Sequence, residues 1–124
     1  MDGKFGHKKL VVWNNIEELT DIVCNRILKI IPKTKFKLRD QIERAISSIG
    51  ANFVEGYYSH STSEYVKFLR YSRRSLSELE YWAGFCFKQK YISESLFNSS
   101  QDLAIRTGYL VDRLISSLII KLSS

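Results

Sequence analysis

Proline, cysteine and histidine are all scarce in this 124-residue chain, with one, two and two copies, and each scarcity excludes something. Cys24 and Cys86 lack any CxxC-type spacing and His7 lies far from His60, so no zinc-like ligand set can be read, and no metal or other cofactor is expected. Two reduced thiols on or near helix faces is the plain expectation. No apolar run approaches the ~20 residues that a membrane span needs, and the opening MDGKFGHKKLVVW has no apolar signal core, so a cytoplasmic location without membrane contact is expected. Gly-rich loops, hairpin signals and period-two alternation are also missing. Neither a linker nor an internal repeat suggests a second domain.

What is present is average in amount and uneven in sign. Apolar residues make up 44% of the chain and charged residues 26%, a balance typical of globular domains. Nineteen Lys and Arg against thirteen Asp and Glu leave a formal charge of +6. Such a field favours polyanions, with nucleic acid first and acidic protein surfaces or anionic lipid next. A basic surface that merely keeps the protein soluble accounts for the same number.

The apolar pattern is helical throughout. Val12, Ile16, Leu19, Val23, Ile27 and Ile30 recur at steps of three and four between Leu10 and Ile31, which predicts one helix, ended by Pro32, whose ring cannot continue the hydrogen-bond ladder. A second helix runs from Leu38 to about Tyr58, with Ile42, Ala45, Ile46, Ile49 and Phe53 inward. Ser61 followed by Glu64 reads as a capping box and starts a third helix near Thr62. On it Tyr65, Phe68, Leu69, Ser72, Leu76, Leu79, Ala83, Cys86 and Phe87 share one arc. Ser93 caps a fourth, marked by Leu96, Leu103, Leu110, Leu114 and Leu118. Four helices with one stripe each satisfy one another as an all-α, up-down-up-down antiparallel four-helix bundle. Residues 1–9 are expected as a flexible tail and 10–124 as the bundle domain.

Within the second hairpin, Gly50 and Gly56 sit where glycine costs ~1 kcal/mol relative to alanine, and close helix packing is the simplest reason for them. Asn52 and Glu55 share a face of the second helix, with Glu78 and Glu80 on its partner. Paired carboxylates can do acid–base work, but that needs a pocket and a positioned substrate that nothing in the sequence supplies. Bonding of Asn52 and Glu55 to backbone groups or arginines near the turn is preferred, and no catalytic residue is assigned.

The order LRDQIERAISSIGANFVEG followed by SEYVKFLRYSRRSLSELEYW resembles the family of four-helix-bundle proteins first met as reading frames within intervening sequences of bacterial 23S ribosomal RNA genes. The matching positions are Asn52, Glu55 and Gly56, then Phe68, Leu69, Arg74, Ser75, Leu76, Glu78, Leu79 and Glu80, and the resemblance covers roughly residues 10–120. Family members commonly carry a proline near Gly50 and an alanine near Val54; this chain has neither. The resemblance implies a ring, typically a homopentamer, like the accessory proteins of diversity-generating retroelements, which bind nucleic acid and a reverse transcriptase. It implies no catalytic residues.

Two surface patterns bear on that implication independently. Tyr71, Trp82 and Phe85 lie away from the core arc of the third helix, and Val111, Ile115 and Ile119 form a shoulder beside the leucine stripe of the fourth; a second apolar face marks a partner surface. Lys33, Lys35, Lys37, Arg39 and Arg44 crowd the first turn and the start of the second helix, while Lys67, Arg70 and Arg74 step along the outward side of the third. Repeated around a ring, such patches multiply phosphate contacts, and arginine beside Tyr57, Tyr58 and Tyr71 can stack on unpaired bases. The leading expectation is a non-enzymatic homo-oligomer that binds RNA or DNA, as an accessory factor in a ribonucleoprotein or reverse-transcriptase complex. The alternative is a structural scaffold whose charge serves an acidic protein partner, and an enzyme using Glu55 with nearby arginines is a remote third.

Overall fold

The computed structural model describes residues 6–123, and they form four helical rods. The first, α1, is α-helical over Val11–Ile22, passes through a π-helical turn at Val23–Ile27 and ends in the short turn Leu28–Ile30. The others are α2, Phe36–Tyr57, α3, Thr62–Lys88, and α4, Glu94–Ser123. Each rod packs antiparallel on the next and α4 returns to lie against α1, which is the up-down-up-down bundle the periodicity predicts. No strand occurs among the described residues. Of the expected tail, residues 1–5 lie outside the described residues. Gly6–Lys9 form a 3-10 turn in which His7 is buried, with its Nδ1 2.9 Å from the Tyr58 hydroxyl.

The start signals are used as chemistry dictates. The Ser61 hydroxyl accepts from the Glu64 amide at 3.1 Å, which satisfies one orphan donor of the first turn, while the Glu64 carboxylate reaches one residue past the cap and accepts from the His60 amide at 3.3 Å. Ser93 caps α4 through the Leu96 amide. Pro32 follows the last turn of α1, as expected.

The core stripe departs from the simple period at two places. A π-helical turn inserts one extra residue and rotates everything after it. Ile30 is therefore 52% exposed, and Leu28 and Ile31 take the inward positions instead. On α4 the buried line runs through Leu96, Ser100, Leu103, Ala104, Thr107, Gly108, Val111 and Ile115. Val111 and Ile115, expected as a shoulder for a partner, are thus core, and Leu110, Leu114 and Leu118 line its edge half-buried. The centre of that arc is built from small and hydroxylated residues, which an apolar search passes over.

The α2–α3 seam is the tightest in the molecule. A Cβ on Gly56 would stand 2.9 Å from the Phe68 Cβ and 3.2 Å from the Tyr65 carbonyl oxygen, closer than atoms pack. Ser72, fully buried, donates across the seam to the Ile49 carbonyl at 2.6 Å. Further along, the Ser48 and Ser75 hydroxyls meet at 2.8 Å, and the Asn52 amide donates to both the Ser48 carbonyl and its hydroxyl at 2.9 Å. Close packing thus explains Gly56. It does not explain Gly50, where an added Cβ would make only ordinary contacts of 3.7–3.8 Å with Ile16 and Trp13.

Burial also marks two titrating groups. The Cys86 thiol is pushed up to about 11 and the Tyr65 hydroxyl to about 12, both chiefly by burial. Replacing Gly56 by alanine should cost about 1–3 kcal/mol through overpacking and Ser61→Ala about 1 kcal/mol through the lost cap, both read from urea midpoints. Between pH 9 and 11 an unfolded chain releases a Cys86 proton that the fold retains, so stability should fall as pH rises through that window. Unfolding of a Cys86→Ala variant at the same pH values should lose the first part of that fall and keep the part due to Tyr65.

Candidate nucleic-acid interface

The eight basic residues expected to meet phosphate do not form one patch. Lys33, Lys35 and Lys37 are exposed on the α1–α2 turn and the first turn of α2, and Arg44 is exposed further along. Lys67, Arg70 and Arg74 are exposed along α3. The Ser48–Ser75 contact fixes the register of the seam and puts the α3 row beside the C-terminal half of α2. Lys37 precedes Ser48 by a helical distance of about 16 Å at 1.5 Å per residue, so the lysine turn belongs to the far end of the bundle.

Arg39 leaves the set altogether. Its guanidinium donates to the Leu28 carbonyl and, at 3.0 Å, to the Ile31 carbonyl, which closes the C-terminal end of α1. Helix ends leave carbonyls unsatisfied, and a cation there also meets the negative end of the helix dipole. The sequence shows a basic residue in a basic run. Only the folded-back turn at Pro32 shows that its side chain is already committed.

The α3 row has the properties a phosphate-binding surface requires. Lys67, Arg70 and Arg74 take part in no ion pair among the described residues. Arg74 lies over the Tyr71 ring at 5.4 Å and Lys67 over the Phe68 ring at 4.9 Å, while the Phe68 and Tyr71 rings meet edge to face at 5.8 Å. The cations thus border one ring on the outward strip, Tyr71, 38% exposed, and one half-buried at the seam, Phe68. Arg73, in the same run, is turned the other way: its Nε donates to Asp112 on α4 at 3.1 Å, and Glu80 lies 4.0 Å off. Gly108 makes room for it, since a Cβ there would stand 3.0 Å from the guanidinium carbon.

Beside the row, Arg44 shares a polar cleft of about 360 Å³ with Ser47, Ser48, Ser75 and Glu78. The motif carboxylates are spread apart. Glu78 accepts from the Trp82 indole at 3.4 Å, Glu80 faces Arg73, and Glu55 is exposed at a cleft near the α2–α3 turn, with Tyr58, His60 and Glu64. Of the three aromatics expected at a subunit contact, Tyr71 is exposed, whereas Trp82 and Phe85 are half-buried, 5.7 Å apart edge to face, and Trp82 packs against its own core.

Lys88 and Lys90 were not singled out in the sequence, yet both are exposed at the α3–α4 turn. In an up-down-up-down bundle that turn lies at the same end as the α1–α2 turn, so they join Lys33, Lys35 and Lys37 in a second basic region. Antiparallel topology was the available signal. Among the described residues no three His, Cys, Asp or Glu gather as a metal-holding group, and no helix is long and apolar enough to cross a membrane.

The model of the 23S rRNA-intervening sequence protein family matches residues 8–113. Among solved structures, a protein of unknown function from the S23 ribosomal protein family, from Bacteroides thetaiotaomicron, superposes with a TM-score of 0.78 at 24% identity, over 85% of this chain and 98% of that one. At that identity the likeness shows the fold alone. No curated protein matches.

Because Arg39 closes α1, its replacement should act on stability rather than on ligand. Arg39→Ala should lower the unfolding free energy by about 1–3 kcal/mol, as expected for lost charge-assisted hydrogen bonds. Denaturant melts read beside titrations with single-stranded RNA should show the first change without the second.

Proposed function

The chain belongs to the 23S rRNA-intervening sequence protein family, and we propose that it is a cytoplasmic, non-enzymatic homo-oligomer that binds RNA or DNA through the outward face of α3. The observation that carries the reading is the strip Lys67, Arg70, Tyr71 and Arg74, exposed and unengaged by carboxylates among the described residues. Cations at that spacing meet successive phosphates, and an exposed ring with a guanidinium over it offers a stacking platform to unpaired bases. The lysine end, with Lys33, Lys35, Lys37, Lys88 and Lys90, adds a second region of positive field that steers a polyanion without reading its sequence.

Self-association belongs to the same reading. By family resemblance the assembly is a homopentamer, and the uncovered edges of Trp82 and Phe85 are the α3 contribution to subunit contact, while Tyr71 serves the nucleic-acid strip. A ring repeats the basic strip and turns modest single contacts into avidity. The role that the family resemblance implies is that of an accessory factor in a ribonucleoprotein or reverse-transcriptase complex, with RNA and DNA both candidate ligands.

Fluorescence anisotropy with mixed-sequence single-stranded RNA and DNA at about 50 mM salt tests the reading, with affinity expected to fall by ~0.7 in log K per neutralised phosphate and unit of log salt for single strands. The double reversal Arg70→Glu with Arg74→Glu should weaken every sequence alike, at least about tenfold by removing two phosphate contacts, with the helical CD spectrum intact. Tyr71→Ala should cost about 1–3 kcal/mol on single strands and little on duplex. No binding at that salt, or binding indifferent to the double reversal, would leave the scaffold for an acidic protein as the better account.

A further inference from the structure

The contact between α1 and α2 is looser than the α2–α3 and α3–α4 seams, and it leaves an open groove of about 700 Å³. Its apolar floor includes Trp13, Ile16, Ile46 and Val54, and the α2 wall is low because Ser47, Gly50 and Ala51 present almost no side chain. Gly50 is not forced by packing among the described residues, where a methyl would meet nothing closer than 3.7 Å. The rim is acidic: Glu17 and Asp21 line it. Burial first, and then the charges of Glu43 and Asp21, hold the Cys24 thiol above its ordinary range. A net +6 chain thus carries an apolar groove edged with negative charge.

The same chain carries a matching projection. Ile115 is the last buried residue of α4, and from Ser116 to Ser123 no residue is buried. These final turns nevertheless hold Leu118, Ile119, Ile120 and Leu122, with Ile120 70% and Leu122 51% exposed. Beyond Asp112 the helix has no acid, only Arg113 and Lys121. An apolar, basic helix end and an apolar, acid-rimmed groove are complementary in both terms, and one copy cannot satisfy the two because α4 is the neighbour of α1 within its own bundle.

We propose that the α1–α2 groove receives the C-terminal turns of α4 from a second copy of this chain. The inference rests on the self-association proposed above and names surfaces for it apart from the α3 aromatics. Groove and helix end are different patches, so the contact is heterologous: each copy gives an end and receives one, which closes into a ring when the rotation permits.

Native Cys24 lies in the groove and supplies the test. Light scattering of the unmodified chain at tens of micromolar reads the assembly, and mild oxidation of Leu122→Cys or Ile120→Cys variants reads the contact on non-reducing gels. Covalent ladders are expected from these variants, to be abolished by adding Cys24→Ala and absent from an Ile105→Cys control on the exposed middle of α4. Ala51→Glu, an exposed change that places a carboxylate in the groove, should reduce the assembled mass with helicity retained. Assembly without cross-linking overturns this contact and leaves self-association standing, whereas a monomer overturns both. A ladder that survives Cys24→Ala shows α4 ends pairing with one another and also overturns the proposal.

Discussion

The close approach of α2 to α3 is the constraint on which the rest of the molecule depends. With Gly56 in contact with the Phe68 Cβ, and Ser72 donating across to the Ile49 carbonyl, neither helix can slide or rotate without burying an unpaired hydroxyl or driving a side chain into backbone. The register set there decides which face of α3 looks outward. Ser72, Leu76 and Leu79 are held inward, so Lys67, Arg70 and Arg74 must be presented to solvent. The candidate interface is in this sense a by-product of the seam: its cations are spaced by the helix and aimed by packing on the opposite side.

Neighbouring arginines in one run have different uses because the seams on either side of α3 differ. Arg74 lies over the Tyr71 ring, while Arg73, one residue earlier and about 100° around the helix, is drawn into α4 by Asp112 and by the space that Gly108 leaves. Arg39 is a third case, taken up by two carbonyls at the end of α1. Net charge counts all three equally. Their availability to a phosphate is set by what carbonyl, carboxylate or ring lies within reach.

This difference explains what the sequence disclosed. Helix starts were legible because a cap is local chemistry: Ser61 with Glu64 and Ser93 with the Leu96 amide need only residues within one turn. The bundle was legible because four apolar stripes leave few other ways to be buried. The π-helical turn was not, since the extra residue at Val23–Ile27 shows only as a shift of the later stripe from Ile30 to Ile31. Nor was the inner line of α4, where Ser100, Thr107 and Gly108 occupy core positions that polarity and small size disguise. The α3 half of the candidate site was readable from its spacing of three and four. Its separation from the lysine turn, and the loss of Arg39, depended on antiparallel register and on a folded-back turn, which are tertiary facts.

The small residues of α2 show how one residue type serves opposite ends. Ser48, Asn52 and Gly56, four apart, form a stripe along the α3 side, and there small size becomes contact: hydroxyl to hydroxyl at 2.8 Å, backbone nearly to backbone at Gly56. Ser47, Gly50 and Ala51, rotated toward α1, meet a helix that stands further off, and there small size becomes empty volume. A glycine in the middle of a helix loses stability wherever it sits. On the α3 side that loss is offset by a seam that fixes the bundle. On the α1 side no close contact among the described residues offsets it, and the groove it leaves is rimmed by Glu17 and Asp21 on a protein of net positive charge. Empty volume of that kind, apolar in its floor and charged at its rim, is the physical reason for looking to a second copy.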